Sequence, residues 1–305
     1  MRIASIDVGS NTVLLLIAEW KKGQLKFIKN DYRIPRLRKN LSLTGRISEE
    51  SKTKFFSVLN EYMGIIAQFH CEKILCSATA AMRKAENSGE IIKEVKEIFG
   101  LEIEVIPGER EAEYSFLGAT STFPGKDNYA VLDIGGASTE IITGNPKKIT
   151  YKQSFPFGAV TLTEEYLNEF PYKNNNLTEL ENFIKKSFET LPLNLKSRSF
   201  PIAVAGTPTS LVGIKLGLDD YIEEKVDGAF LTKDDLNKFI NYFTKTSPLR
   251  LLEDNPVFLE GRSDVILAGT MLLKEFLLKS GSDMVNVSGR GLRYGMVIDY
   301  VNSLK

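Results

Sequence analysis

The clearest pattern along the chain is a repeated arrangement of a short apolar strand, an aspartate and a glycine turn. Residues 3–9 (IASIDVG) and residues 129–135 (YAVLDIG) share it, and small hydroxyl residues follow each copy. The chain then returns through a second apolar stretch, over 13–18 in the first copy and from Glu140 in the second. The two copies start a domain length apart, so we predict two similar α/β domains.

Apolar residues at helical or strand-like spacing predict the elements around these copies. Residues 48–70 predict an amphipathic helix. Other runs predict strands over 73–77, 101–106, 148–154, 201–205 and 284–287, and helices over 91–99, 109–119, 177–190, 232–243, 262–279 and from Leu292. Residues 173–176 (KNNN) indicate a loop, and residues 125–128 (GKDN) indicate the hinge between the two domains. The expected domains are 1–123 and 124–305, with the last helix a candidate to pack back on the first domain.

Composition excludes several classes of protein. Lys plus Arg equals Asp plus Glu at 39 each, so no overall charge attracts nucleic acid or an acidic membrane. The longest apolar run, residues 13–18, is far too short to span a bilayer, and Met1 leads directly into a strand instead of a signal peptide. We therefore expect a cytoplasmic protein without nucleic-acid or membrane partners.

Cysteine and histidine are scarce. The apolar surroundings of Cys76 predict a buried thiol, and the only other cysteine is Cys71, which suits a reducing compartment. A single histidine, His70, excludes a His-rich zinc site. Carboxylates, backbone amides and a hard metal ion are left to carry any chemistry.

The glycine turns suit phosphate groups. Glycine lets a phosphate approach the backbone, and exposed amides with Ser and Thr hydroxyls bind it without net charge. Each turn follows an aspartate, Asp7 or Asp133, which would repel phosphate unless a cation lay between them, so the pair suggests Mg²⁺. A third turn at 205–210 (AGTPTS) joins a strand to a helix and can also face an anion. For any one turn alone, a tight hairpin or a capped helix start remains the alternative.

The motifs taken in order resemble the exopolyphosphatase/guanosine pentaphosphate phosphohydrolase (Ppx/GppA) family of the actin, hexokinase and Hsp70 superfamily. The resemblance covers nearly the whole chain. The matching segments are 7–12 (DVGSNT), 131–140 (VLDIGGASTE), 205–207 (AGT), 262–269 (RSDVILAG) and 288–295 (SGRGLRYG). It implies an α/β fold of two actin-like (ribonuclease H-like) domains with a cleft between them.

The same resemblance implies roles for individual residues. It makes Glu111 the general base, places Arg83 near the phosphates and implies a Mg²⁺ cofactor. Without it, residues 109–113 predict only a solvated helix start, and Arg83 an ordinary surface residue. The candidate ligands are, for phosphate, Gly9, Ser10, Asn11, Gly135, Gly136, Ala137, Ser138, Gly206 and Thr207, and, for the metal, Asp7, Asp133 and Glu140.

Some positions depart from the family pattern and bear on substrate choice. They are Leu14, residues 38–40, Pro107, Arg110, Glu113 and Asp227. The sequence ends where longer members continue into an additional helical domain, so we expect the short, two-domain form.

We expect a phosphohydrolase that releases terminal phosphate from inorganic polyphosphate, guanosine pentaphosphate or both, by direct attack of water. One alternative is a kinase of the same superfamily. Another is a regulator that binds guanosine tetra- or pentaphosphate without hydrolysis, and a third is an actin-like filament protein. The sequence also leaves open whether the protein forms a homodimer.

A neutral protein needs a local basic track to hold a long polyanion. The segment from Arg33 to Lys39 supplies the candidates Arg33, Arg36, Arg38 and Lys39. The alternative is a solvated basic loop.

Overall fold

The repeat in the sequence builds the same part of two separate β-sheets. A computed structural model describes residues 1–191 and 199–304. One unit runs from Met1 to Gly118 and takes in the C-terminal segment from Leu292. The other runs from Ala119 to Gly291, so residues 125–128, predicted as the hinge, lie inside it.

Each unit contains one mixed sheet. The strands of the first unit are β1 (Arg2–Val8), β2 (Val13–Lys21), β3 (Gln24–Arg33), β4 (Lys73–Ala78) and β5 (Glu104–Val105). Those of the second are β6 (Tyr129–Ile134), β7 (Thr139–Asn145), β8 (Lys148–Phe155), β9 (Phe200–Val204), β10 (Phe230–Thr232) and β11 (Met284–Val287).

Helices connect and cover the strands. In chain order they are α1 (Leu41–Thr44), α2 (Glu49–Gln68), α3 (Ala80–Lys84), α4 (Ser88–Phe99), α5 (Gly108–Ser121), α6 (Ala159–Tyr166), α7 (Asn174–Phe188), α8 (Gly206–Lys215), α9 (Glu223–Val226), α10 (Lys233–Lys245), α11 (Pro248–Asp254), α12 (Pro256–Leu259), α13 (Ile266–Ser280) and α14 (Leu292–Asn302). No helix in the described ranges is both long and apolar enough to cross a bilayer.

The two sheets share one plan. Their strand orders are β3-β2-β1-β4-β5 and β10-β11-β9-β6-β7-β8. In each, the first three strands form an antiparallel meander, and the first strand then pairs in parallel with the next, β1 with β4 and β6 with β9. The predicted internal repeat is therefore confirmed as a repeat of topology.

The first sheet is covered on both faces, which explains the unbroken apolar run over 13–18. On one face, Phe55 and Leu59 of α2 are fully buried in the main core. On the other, Tyr294 and Val297 of α14 pack against Ile3 and its neighbours. Because both faces of β2 are buried, its sequence does not alternate between apolar and polar residues.

Helix α13 runs through the core of the second unit. Residues 266–268 and 272–273 are almost completely buried, and α13 packs against α6, α7 and α10. A helix that is apolar over most of its circumference belongs in such an interior position.

The helix predicted over 48–70 is confirmed as α2, and the helix predicted over 91–99 is confirmed as α4, which Gly100 ends in the left-handed conformation. The strand predicted over 101–106 is wrong in extent, because only Glu104–Val105 pairs with β4 at the sheet edge. Leu101, Ile103 and Ile106 are buried outside this short ladder, whereas Val105 is exposed.

Two further expectations were wrong, and the strands β3 and β10 were not predicted. The loop predicted over 173–176 is wrong, because α7 begins at Asn174. The first amides of a helix lack partners within it, so polar residues are tolerated in its first turn. The helix predicted over 262–279 starts only at Ile266, after a turn. The alternation of the charged strand β3 is masked by Lys26, Lys29 and Asp31.

Candidate functional site

The two glycine turns have the same geometry. The Gly9 amide donates to the Thr12 carbonyl over 3.0 Å, and the Gly135 amide donates to the Ser138 carbonyl over 3.0 Å. A Cβ atom on either glycine would lie 2.9 Å from that carbonyl oxygen. Glycine is required at both positions because the chain folds back too tightly for a side chain. We call residues 9–12 turn 1 and residues 135–138 turn 2.

In turn 1, the carbonyl groups point toward the segment that follows β3. The Arg38 amide donates to the Ser10 carbonyl over 2.9 Å, and the Arg36 amide donates to the Asn11 carbonyl over 3.1 Å. In a trans peptide the N–H points opposite to the C=O of the same plane. The amides of Asn11 and Thr12 are therefore directed away from that segment, side by side.

Turn 2 repeats this arrangement with the start of α6. The Gly135 carbonyl accepts from the Ala159 amide over 2.9 Å, and the Gly136 carbonyl accepts from the Val160 amide over 2.9 Å. By the same geometry, the amides of Gly136 and Ala137 face away from α6. Neighbouring amides aimed to one side form a concavity suited to an anion.

The acidic residues differ between the units. In the second, Asp133 on β6 is directly opposite Glu140 on β7, which is buried and accepts a hydrogen bond from Ser154 Oγ over 2.7 Å. In the first, the equivalent partner of Asp7 is the apolar Leu14. Like charges directly opposite on a sheet are unfavourable, and a cation beside them removes the cost. The structure thus brings two of the three proposed metal ligands together in one unit.

The third turn leads into α8, and residues from other parts of the second unit support it. Ala205 has a positive φ of 77°, which is strained for a residue with a side chain. Arg262 Nη1 donates to the Gly206 carbonyl over 3.3 Å and to Ser210 Oγ over 3.2 Å. The Thr207 side chain lies against Gly269 of α13, where a Cβ would come within 2.3 Å of its Oγ1. Thr207 lies in the first turn of α8, where backbone amides have no acceptor within the helix. The sequence matched the motif containing Arg262 and Gly269 but gave neither residue this role.

Arg83 and Glu111 form an ion pair in the first unit. Arg83 Nη1 lies 2.8 Å from Glu111 Oε2 and also donates to the Ile106 carbonyl over 2.6 Å. The side chain of Glu111 is only 11% exposed. Helix α3, which carries Arg83, follows Thr79, whose amide donates to the Val8 carbonyl just before turn 1. The pair therefore belongs to the sheet edge where β1, β4 and β5 end, which is where open α/β sheets bind ligands.

Helix α5 positions Glu111 through two local features. The Pro107 carbonyl accepts from the amides of Arg110 and Glu111 over 3.1 and 3.0 Å, which sets the first turn of the helix. Farther along, α14 approaches so closely that a Cβ on Gly295 would lie 1.9 Å from the Tyr114 carbonyl oxygen. A larger residue at Gly295 would push α5, and Glu111 with it, out of place.

Asp227 fixes the loop after β11. Its Oδ1 accepts from Ser288 Oγ and from the Gly289 amide, each over 3.1 Å, and from Thr122 Oγ1 over 2.9 Å. Its Oδ2 lies 3.1 Å from Arg290 Nε. Sequence reasoning noted Asp227 only as a departure from a family motif, because partners so distant in sequence leave no local signal.

The predicted residues fall into two groups, each at the carboxyl edge of one sheet. Asp7, turn 1, Arg83 and Glu111 lie in the first unit, and Asp133, turn 2, Glu140, Gly206 and Thr207 lie in the second. Two units that repeat one sheet plan, each with an amide-bearing glycine turn after its first strand, define an actin-like α/β protein.

Comparison with known proteins identifies the family. The sequence model of the Ppx/GppA phosphatase family matches residues 16–304. The chain therefore belongs to the Ppx/GppA phosphatase family and, with it, to the hydrolases.

Individual relatives agree with this assignment. The Aquifex aeolicus member of the Ppx/GppA family has a solved structure that superposes with a TM-score of 0.83 at 31% identity, covering 100% of this chain and 99% of that one. Exopolyphosphatase 2 of Mycobacterium tuberculosis is 27% identical over 97% of this chain and 98% of its own length. A bifunctional 3-dehydroquinate synthase/phosphatase of Fusobacterium nucleatum subsp. nucleatum is 33% identical over 98% of this chain, which spans only 46% of that protein.

Proposed function

We propose that this protein releases terminal phosphate from inorganic polyphosphate, guanosine pentaphosphate or both. The observation that carries the proposal is the matched pair of turns, each directing two adjacent amides to one side at the end of a strand. A relative that spans the same length is named an exopolyphosphatase, which supports polyphosphate as one substrate. Phosphoryl transfer depends mainly on positioning and charge stabilisation, which such turns supply.

In the proposed reaction, a water oxygen bonds to the terminal phosphorus as the bridging phosphorus–oxygen bond breaks. The remaining chain leaves with the bonding electrons, and Glu111 takes the proton from the attacking water. The carboxylate must be ionised to act in this way, and pairing with Arg83 favours that form. Arg83 is also a cation close to turn 1 and can help to hold the phosphates.

The residues present fit a magnesium ion. Among the described residues no group of three or more Asp, Glu, His or Cys side chains forms a metal cluster. Magnesium does not need one, because it is commonly bound through one or two carboxylates together with water and substrate phosphates. Asp133 and Glu140 would supply the carboxylates in the second unit, and Asp7 is the acidic candidate in the first. The ion would neutralise charge on the transferred phosphate.

Phosphate release measured on tripolyphosphate, long-chain polyphosphate and guanosine pentaphosphate tests the proposal. We expect release from at least one of them in the presence of Mg²⁺. Tight binding of guanosine pentaphosphate, measured by calorimetry, without release from any substrate would indicate the binding regulator instead. A matched assay with radiolabelled ATP and sugar or acetate acceptors distinguishes a kinase.

A further inference from the structure

Arg110, the residue before the proposed base, links helices α5 and α14 of the first unit. Its Nη2 donates to Asp299 Oδ2 of α14 over 2.7 Å, and its Nη1 donates to Glu113 Oε2 over 2.9 Å. The Cζ atom of the guanidinium group lies 4.3 Å from the centre of the Tyr114 ring. Three partners therefore hold this side chain, one on α14 and two on α5.

Contacts between the two helices recur at the spacing of one helical turn. Arg110 and Tyr114 are four residues apart on α5 and lie on one face of it. Gly295 and Asp299 are related in the same way on α14. Asp299 binds Arg110 at one point of contact. At the other, a Cβ on Gly295 would lie 1.9 Å from the Tyr114 carbonyl oxygen. The ion pair thus fixes one end of a contact whose other end depends on close backbone packing.

Helix α14 also supports the segment that anchors Arg83. Ile106 is buried with Leu292 and Met296 of α14 in one small apolar cluster. The Ile106 carbonyl accepts a hydrogen bond from Arg83 over 2.6 Å. Both members of the Arg83–Glu111 ion pair therefore depend on α14, Arg83 through Ile106 and Glu111 through α5.

The first turn of α5 connects Arg110 directly to Glu111. The amides of both residues donate to the Pro107 carbonyl. Successive residues of an α-helix are rotated by about 100°, so the two neighbouring side chains point in different directions. One reaches Asp299 and the other reaches Arg83. Helix ends fray readily, and a twist of this turn would disturb both ion pairs at once.

We propose that Arg110 and Asp299 are positioning residues: their ion pair holds the first turn of α5 on α14 and so keeps the Glu111 carboxylate in its place beside Arg83. The inference rests on the proposed function, in which Glu111 is the general base. Displacement of a catalytic group by about 1 Å can slow a reaction by about 100-fold. A partly exposed ion pair contributes little to the stability of a whole fold, so its loss would mainly affect this orientation. The sequence marks Arg110 only as a departure from the family pattern, and its role follows from its contact with α14.

Asp299→Asn tests the inference, because it cuts the ion pair without changing α5. With long-chain polyphosphate and guanosine pentaphosphate as substrates in Mg²⁺, kcat for phosphate release should fall by about 3- to 30-fold, while KM stays within about 2-fold. Hydrogen exchange of the Arg110 and Glu111 amides should become faster by roughly 2- to 5-fold. Asp299→Glu, which keeps the carboxylate, should restore most of the parent kcat.

Glu94→Gln is the matched control. Glu94 pairs with Lys52 over 2.7 Å, which joins α4 to α2 in the same unit, and its side chain is 40% exposed, as that of Asp299 is. Its loss should leave kcat and the exchange of α5 near the parent values. Arg110→Gln should lower kcat at least as far as Asp299→Asn. Combining the two changes should add little, because they remove the same contact.

Parent-like exchange of the two amides in Asp299→Asn overturns the inference, as does faster exchange with an unchanged kcat. A rise in KM alone, or an equal loss of kcat in Glu94→Gln, also overturns it. Failure of the proposed function has a different result: the parent would release no phosphate, or Glu111→Gln would keep the parent kcat. In that case faster exchange in Asp299→Asn would still support the contact that holds α5 on α14, and unchanged exchange would overturn it.

Discussion

Arg83 Nη1 lies 2.8 Å from Glu111 Oε2, so the arginine expected near the phosphates and the carboxylate expected to act as base hold each other in the same unit. Arg83 is anchored as well by the Ile106 carbonyl at the end of β5. A phosphate that attracts Arg83 would compete with Glu111 for the guanidinium group. Phosphate binding would therefore be coupled to the ion pair that holds the Glu111 carboxylate.

Glu111→Gln is expected to lower kcat by about 10²–10⁴-fold, because the amide keeps the size of the side chain but cannot take a proton. Polyphosphate affinity should change by no more than a few-fold, since the turns hold the phosphates. Steady-state phosphate release and calorimetric binding measure the two quantities.

Glu109→Gln is the matched control for this variant, because Glu109 lies in the same first helical turn but is exposed. It should stay within a few-fold of the parent. A larger loss in Glu109→Gln than in Glu111→Gln would show that Glu111 is not the general base.

Asp133→Asn and Glu140→Gln are each expected to remove the stimulation of phosphate release by Mg²⁺, because each takes a charge from the carboxylate pair on β6 and β7. The rise in melting temperature that Mg²⁺ gives by binding the folded state should also disappear. Asp127→Asn, an exposed acidic site just before β6, should behave as the parent. Full activity of the parent in excess chelator would refute the metal site.

Gly295→Ala should destabilise the fold by about 1–3 kcal/mol, because the new methyl group would overlap the Tyr114 carbonyl oxygen and force α5 and α14 apart. Since α5 carries Glu111, kcat should fall as well. Thermal unfolding and phosphate release report the two effects.

Gly291→Ala supplies the comparison, because a Cβ at Gly291, just before α14, would meet no neighbour within 4 Å. It should unfold at nearly the parent temperature. Equal melting temperatures for Gly295→Ala and the parent would show that the helices can separate without cost.

Glu275 in α13 should make stability depend on pH. Its Oε1 is buried without a hydrogen-bonding protein partner among residues 1–191 and 199–304. Burial raises its pKa above the ordinary 4.5, opposed by Lys185 and Lys274 and reinforced by Glu181. Between 4.5 and the raised value, the folded state binds more protons at this group than the unfolded state, so the contribution of Glu275 to stability is greatest below pH 4.5 and is lost as the pH rises through the folded pKa.

Glu275→Gln should therefore raise the melting temperature at pH 7–8, with the gain shrinking to nothing as the pH falls below 4.5. Thermal unfolding across this range measures it, and Glu224→Gln, at an exposed position, should show no such trend. A gain that is constant with pH would point to packing instead of ionisation.

The sequence by itself determined the repeat, the two glycine turns and the family motifs. The strand–aspartate–glycine pattern is local, and local chain geometry requires glycine at Gly9 and Gly135. Helices such as α2 were equally predictable, because amphipathic spacing is written into consecutive residues. The mixed-charge strand β3 could not be predicted, because its neighbours in the sheet, and not its own pattern, make it a strand.

Only the tertiary structure decided which side chains meet. Arg83 and Glu111 are distant in sequence, as are Asp227 and its partner Thr122, and Gly295 and Tyr114. No local pattern encodes such pairs, because they arise where separate strands end at one sheet edge or where two helices pack. The same reason explains Arg38, which sequence pattern could place in a solvated basic loop but which the fold buries against turn 1.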